Sequence, residues 1–390
     1  MKRVLIFYKG FSATPGGSEQ RTLYVLAHLQ RKCQVTLALC YASNLERATR
    51  MYGIPVELDN LEVVIVKPKS AFLQRLDNIL PFYRTWQLKK LARQADVCIS
   101  TMNIADFGRP AHHFIISLTD MGDNAFTDFV LHRKKSAPAR FAQLFRHFVA
   151  ERVLRPILGV RSVRTILHTP GEKVYPNSHF VEQTMRTFYG DFQGDIAYPV
   201  TIFQPTMDNV PRDPLKVIYL GRIAAGKQIL DIIEVVEMAR KLSGQNLTLA
   251  LAGELEDNAY VQAVKAKCAP LPWCTLVGRS CGEAKERFLL SGTYAIHAQR
   301  DEAFGISITE YLLSGLIPVV PDEGGAPEVV DIPQLAYHDK RQAAEILARL
   351  VTDQPFREAM HRHCAARAEN FRGSAQLKRI HALLDRILEE

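Results

Sequence analysis

Short apolar runs alternate along the whole chain with stretches whose apolar positions recur at helical spacing. In the first half the runs predict strands at Arg3–Tyr8, Gln34–Cys40, Leu61–Val66, Asp96–Ser100 and Phe114–Leu118. In the second half they predict strands at Leu215–Leu220, Leu247–Ala252, Thr275–Gly278, Thr293–Ala298 and Ile317–Val320. Between them, Gln20–Gln30, Gln228–Leu242 and Ile306–Ser314 read as helices, and Ser374–Glu390 as a last one. Strands that alternate with helices imply α/β units with parallel sheets. The two series part best near Phe203-Gln204-Pro205, so the expected domains are 1–203 and 204–373, with 374–390 as a terminal helix.

Composition narrows the class. A chain of 390 residues with 47% hydrophobic and 23% charged residues is that of an ordinary globular protein with two or three domains. The first strand starts at Arg3, which leaves no room for a signal peptide, and no apolar run reaches membrane-spanning length. Seven cysteines without a Cys-x-x-Cys pair indicate neither a zinc site nor a disulfide framework, and favour a reducing cytoplasm.

The candidate chemistry lies in strand-to-helix turns. Glu302 falls in the loop after the strand at 293–298, and Glu310 about one turn into the following helix. The loop presents the backbone N–H groups of Phe304, Gly305 and Ile306 at a helix start, a setting suited to a diphosphate. A carboxylate repels phosphate but accepts hydrogen bonds from hydroxyls. Two carboxylates flanking a phosphate site therefore suit a ligand with hydroxyls on both sides, such as a nucleotide sugar. Upstream, Gly221-Arg222 and Gly226-Lys227 place two cations and two glycines between a strand and a helix, again a phosphate setting. It is not a P-loop, because Gln228 follows Lys227. A Gly-Gly pair at Gly16 and Gly17 lets backbone approach a ligand, and a second pair, Gly324-Gly325, precedes Ala326-Pro327-Glu328.

In this order the segments Gly16-Gly17, Gly221-Arg222…Lys227, Glu302-x7-Glu310 and Gly324-Gly325-x-Pro327-Glu328 resemble glycosyltransferase family 4, over Arg3 to about Glu328. Asn177-Ser178-His179-Phe180 and Tyr198-Pro199 are similar to further family segments. The resemblance implies the GT-B fold, two Rossmann-like, doubly wound parallel-sheet domains facing across a cleft, with the terminal helix crossing back to the first domain. It implies a retaining transfer of sugar from a nucleoside diphosphate sugar to an acceptor hydroxyl. Arg222 and Lys227 would neutralise the diphosphate, Glu302 would bind donor-sugar hydroxyls and Glu310 ribose hydroxyls. Gly16 and Gly17 would close over the donor. Backbone at Gly253 and Val277 is expected to border the base. No cofactor and no catalytic metal are expected, since Arg222 and Lys227 supply the positive charge and no Asp-x-Asp stands beside the motifs.

The chain departs from the family where many members carry a cleft histidine at the end of an N-domain strand. Here the strand at 114–118 ends in Thr119-Asp120, and His112 and His113 precede it. Asp120 is the best placed titratable group to meet acceptor or sugar; its other reading is a cap or turn residue. Rival functions on the same architecture are a sugar-nucleotide epimerase, a phosphorylase or a non-catalytic nucleotide-sugar-binding protein.

Charge is divided unevenly. Residues 1–200 hold 27 Lys and Arg against 16 Asp and Glu, a net of +11; the rest hold 22 against 25, a net of −3, which accounts for the +8 of the chain. Arg133–Arg164 alone contains nine basic residues and one acid, Glu151, interleaved with apolar residues at helical spacing. Two readings stand: a surface for anionic lipid, or a helix that packs on the protein's own core with its charges solvated. The first implies an enzyme at the inner face of the cell membrane with a glycan or lipid-linked acceptor of lipopolysaccharide or exopolysaccharide type. Nucleic acid is not expected, as no nucleic-acid-binding motif is present.

Overall fold

The computed structural model describes residues 1–11, 17–79, 81–119, 121, 123–130, 149–201 and 203–390. Gly16 and Asp120 lie outside the described residues, and so does the first half of Arg133–Arg164, through residue 148. The chain forms two compact units, Met1–Val200 with Leu377–Glu390, and Thr201–Gln376. The last helix, Gly373–Glu389, begins in the second unit and contributes most of its length to the first.

The first unit is built on a six-stranded sheet of β1 (Arg3–Tyr8), β2 (Gln34–Leu39), β3 (Glu62–Ile65), β4 (Val97–Ser100), β5 (His112–Phe114) and β6 (Lys173–Tyr175). The strand order is 3-2-1-4-5-6 and every pairing is parallel. The second unit repeats the plan with β7 (Lys216–Leu220), β8 (Thr248–Ala252), β9 (Cys274–Gly278), β10 (Tyr294–Ile296), β11 (Ile317–Pro321) and β12 (Ala336–Tyr337), in the order 12-11-10-7-8-9. Counted within its own unit, that is the same doubly wound order. The chain direction of the winding reverses between β1 and β4 and between β7 and β10, where the helices on either side diverge and open a crevice at the carboxyl ends of the strands. Both sheets are covered on their faces, so their central strands are apolar throughout: Val4, Leu5 and Ile6 in β1 and Val217 and Ile218 in β7 are at most 1% exposed.

The fifth strand corrects the sequence reading. The apolar run at 114–118 was expected to be the strand, with His112 and His113 before it; both histidines lie within the strand, which ends at Phe114. Asn103 is the cause. Its side-chain oxygen accepts from the N–H groups of Ile116 at 2.9 Å and Ser117 at 3.3 Å, which takes these residues off the ladder. The two histidines tolerate burial because each has a partner: His113 Nε2 lies 2.8 Å from Glu172 Oε2, and His112 Nδ1 lies 3.0 Å from the Tyr175 hydroxyl. Burial pushes His112 down to about 4. The short strands β6 and β12 were not foreseen, since two or three residues carry no readable period.

The described remainder of the basic segment is turned partly inward. Arg155 donates to the Arg161 carbonyl at 2.9 Å, Arg161 pairs with Asp106 at 2.7 Å, and Arg164 donates to the carbonyls of Phe188 and Tyr189 at 2.8 and 3.1 Å. Val153, Leu154, Ile157 and Leu158 are exposed beside them. No helix among the described residues is long and apolar enough to cross a membrane.

In the second unit the backbone itself is closely packed at the site. A Cβ at Gly253 would stand 1.8 Å from the Gly221 carbonyl oxygen, so the turn after β8 lies directly on the turn after β7. Gly253→Ala is expected to destabilise by about 3 kcal/mol, because backbone on both sides cannot yield. Thermal unfolding should show it as a fall in Tm of roughly 6–12 °C; an unchanged Tm would refute this close approach.

Candidate functional site

Two turns meet at the reversal point of the second sheet. After β7 the chain runs through Gly221 and Arg222 into one 3-10 turn, Ala225–Lys227, and then into helix Ile229–Ser243. The Tyr219 hydroxyl holds this turn by donating to the Arg222 carbonyl at 3.1 Å, which leaves no room for a side chain at Gly221. After β10 the chain passes Glu302 and enters helix Ile306–Leu313 through Gly305, whose φ of 98° favours glycine. No side chain caps that helix start. An uncapped helix start of this kind suits an anion, the setting expected for the backbone at Phe304, Gly305 and Ile306. The Phe304 side chain itself is buried, packed edge-on to Phe371.

The second glycine pair shapes this loop. Gly325 N–H donates to the Glu302 carbonyl at 2.7 Å, and a Cβ at Gly325 would stand 2.4 Å from the Ala303 carbonyl oxygen. Gly324 has a φ of 80° and would meet the Arg300 carbonyl at 2.4 Å. The pair is thus required by backbone packing behind Glu302.

The structure joins two of the expected residues directly. Lys227 Nζ lies 2.5 Å from Glu302 Oε2, with side chains 20% and 16% exposed. His297, 1% exposed at the tip of β10, brings Nε2 to 3.3 Å from the same oxygen, and neither of its ring nitrogens makes a well-formed hydrogen bond with the described residues. Burial raises the Glu302 carboxyl, and the adjacent His297 and Lys227 more than offset it, holding the group well below the usual carboxylate range. A carboxyl lowered on folding stabilises fully above the unfolded value of about 4.3. That contribution is lost as pH falls from there toward the folded value.

Glu310 is not part of this cluster; it pairs with Lys285 of helix Gly282–Leu290, Nζ to Oε1 at 2.8 Å, and Lys285 lies 5.1 Å above the Phe203 ring. Beside Glu310, the Tyr311 hydroxyl accepts from Leu220 N–H at 2.7 Å and so ties this helix to the tip of β7. Arg222 is exposed and has no ion-pair partner among the described residues. Gly253 donates its N–H to the Gly278 carbonyl at 2.9 Å, and Val277, in β9, is 47% exposed. In the first unit Gly17 begins helix Gly17–Leu29, next to Ser18, whose hydroxyl is 3.0 Å from that of Tyr8. Asn177 and Ser178 have structural work there: Asn177 donates to the Ile116 carbonyl at 3.3 Å and Ser178 caps helix His179–Tyr189.

His297 and Lys285 were not foreseen. A histidine inside the apolar run at 293–298 was a signal for the first, since it must be buried; Lys285 is one of many helix-surface lysines and carried none.

Residues 204–367 match the family model of glycosyl transferases group 1. The match spans Lys227, Lys285, His297, Glu302 and Glu310, the residues that form these pairs, together with Arg222 and both glycine turns. No curated protein matches the chain. Among solved structures, HepE of Anabaena in complex with UDP and glucose is 15% identical, with a TM-score of 0.68 over 99% of this chain and 100% of that one. WaaG, a glycosyltransferase involved in lipopolysaccharide biosynthesis, is 14% identical, with a TM-score of 0.68 over 98% and 99%. Sucrose-phosphate synthase of Thermosynechococcus elongatus is 15% identical, with a TM-score of 0.69 over the whole of both chains. The shared fold is GT-B, and the group 1 match lies within its second unit.

Proposed function

We propose that the chain is a retaining glycosyltransferase of family 4 type that moves a sugar from a nucleoside diphosphate sugar to a hydroxyl of a glycan or lipid-linked acceptor. The observation that carries it is the Lys227–Glu302 pair beside exposed Arg222 and an uncapped helix start. These groups supply cations and N–H donors where a leaving diphosphate gains charge, and a carboxylate where sugar hydroxyls need an acceptor. Without donor, Lys227 neutralises Glu302. With donor, the lysine turns to the phosphate and Glu302 is released to the sugar. Preorganised positive groups stabilise the leaving diphosphate in the transition state, so no catalytic metal is required. Glu310, held by Lys285, accepts from the ribose, and backbone at Gly253 and Val277 borders the base. Gly16, Gly17 and Asp120 are assigned to the sugar and acceptor side. The UDP in the HepE complex makes a uridine nucleotide the first to try.

The test is a thermal-shift comparison of UDP, GDP, ADP and dTDP in chelator. A nucleotide at a hundred times its dissociation constant stabilises by about 2.7 kcal/mol. One nucleotide shifting the chain supports a metal-free donor site; no shift from any of the four counts against it.

The acceptor is proposed to be of lipopolysaccharide or exopolysaccharide type, reached by a cytoplasmic enzyme docked on the inner face of the cell membrane. Support comes from the basic residues of Arg133–Arg164 other than the internally bonded Arg155, Arg161 and Arg164, and from the exposed Val153, Leu154, Ile157 and Leu158. Each basic residue near an anionic surface contributes about 1 kcal/mol. Co-sedimentation should favour anionic over neutral liposomes; equal partition would reject docking.

A further inference from the structure

We propose that Cys268 and Cys274 form a reversible disulfide, a redox-modification site at the edge of the second unit that responds to peroxide. Cys268 ends helix Ala259–Cys268 and Cys274 begins β9. Their Sγ atoms lie 3.3 Å apart, in direct contact. A covalent S–S bond measures about 2.05 Å, so closure brings the two sulfurs together by roughly 1.3 Å. Small side-chain rotations supply that movement.

The chain between them holds the pair in place. Ala269 N–H donates to the Lys265 carbonyl at 3.0 Å, which completes the helix beside Cys268. Leu271 N–H then donates to the Cys268 carbonyl at 2.9 Å, and Cys274 N–H to the Leu271 carbonyl at 3.0 Å. Two consecutive turns thus return the chain to the end of the helix. Pro270 and Pro272 flank Leu271 with fixed φ and limit the ways this segment can open. On the sheet side the Trp273 carbonyl accepts from Leu249 N–H at 2.7 Å, and the Arg240 guanidinium lies 5.1 Å from the centre of the indole ring. Trp273 is pinned just before Cys274.

The position also admits an oxidant. β9 is an edge strand, paired with β8 alone. The turn beside the pair is exposed at Ala269, Pro270 and Pro272. Cys268 and Cys274 keep 6% and 8% exposure, against 1% for Cys98 and Cys364. Isolated buried cysteines fill cores as small hydrophobes; two in contact beneath an exposed turn are also a dithiol. No group of three or more metal-ligating side chains is found among the described residues, so the pair suits oxidation better than a metal ion.

The chemistry needs one two-electron oxidant, a hydroperoxide. One thiolate attacks a peroxide oxygen, the O–O bond breaks and hydroxide leaves, giving a sulfenic acid. The second thiolate attacks that sulfur, the S–O bond breaks and a second hydroxide leaves. The two thiol protons convert both hydroxides to water, so two thiols and hydrogen peroxide give one disulfide and two waters. Exchange with a dithiol reductant reverses the step. In the reducing cytoplasm expected from the cysteine usage the pair rests as thiols, and it closes when peroxide rises. The bridge ties the edge strand to the helix before it. None of this depends on the glycosyltransferase reading.

In the experiment the full chain is treated with hydrogen peroxide, alkylated in denaturant and cleaved with trypsin. Lys267 and Arg279 bound one peptide, 268–279, that carries both cysteines. It should appear without alkylation and lighter by two hydrogens than its dithiol form, and dithiothreitol should restore both alkylation sites. Bridging should raise Tm by roughly 3–8 °C, a shift absent from Cys268→Ser and from Cys274→Ser. Exposed Cys281 serves as the internal marker that oxidant has reached the protein. If both thiols of 268–279 are still alkylated once Cys281 is oxidised, the site is overturned, as it is by pairing of either cysteine with another. A bridge that forms but lowers Tm overturns its accommodation by the native fold.

Discussion

Lys227→Ala is expected to lower turnover about a hundredfold, the effect of removing one preorganised group that meets charge as it develops in the transition state. The lysine stands at the end of the Ala225–Lys227 turn with its ammonium 2.5 Å from Glu302 Oε2, so the turn already aims it at the centre of the site. On the proposed reading its loss would leave the diphosphate with Arg222 and the helix start alone. The thermal shift given by the preferred nucleotide should then shrink in parallel, since the same ammonium would meet the ground-state phosphate. Steady-state kinetics with that nucleotide's sugar checks the first effect. Normal turnover in the variant would show that Lys227 serves only to hold Glu302.

Glu302→Gln separates the two partners. The substitution keeps the shape and removes the charge, and charge-assisted hydrogen bonds are worth about 1.5–3 kcal/mol each. Transfer should fall roughly 10- to 100-fold in kcat/KM. Nucleoside diphosphate affinity should hold or rise, because Lys227 is no longer neutralised by a carboxylate that burial alone would not keep charged. Calorimetry with the bare nucleotide beside transfer kinetics gives both readings. A parallel loss of nucleotide affinity would mean that Glu302 merely supports the loop, a role already visible in the bond from Gly325 N–H to its carbonyl.

Much of the architecture was legible in advance. The β1 bounds were read as they occur, and the strand-then-helix contexts of Lys227, Glu302 and Glu310 follow from apolar runs flanked by glycine turns. Where reading failed at β5, the competing interaction was a single side chain: Asn103 takes the N–H groups that an apolar run would otherwise offer a neighbour. Such an effect comes from a residue thirteen positions away and leaves no periodic trace.

By itself the sequence determined the α/β class, the two series of strands and the residue types gathered at the turns after β7 and β10. Period and turn chemistry are local properties and survive in one dimension. Only the tertiary structure decided which charges face one another. It set Lys227 and His297 on Glu302, assigned Lys285 to Glu310, and packed the Gly324–Gly325 turn against the loop behind them. It also neutralised Asp106 and Glu172 with Lys89 and Arg161, leaving Arg84 without a carboxylate partner among the described residues. Pairing depends on strand order, because parallel strands that are neighbours in the sheet are joined by distant stretches of chain. The tips of β7 and β10 lie side by side only once the sheet is wound.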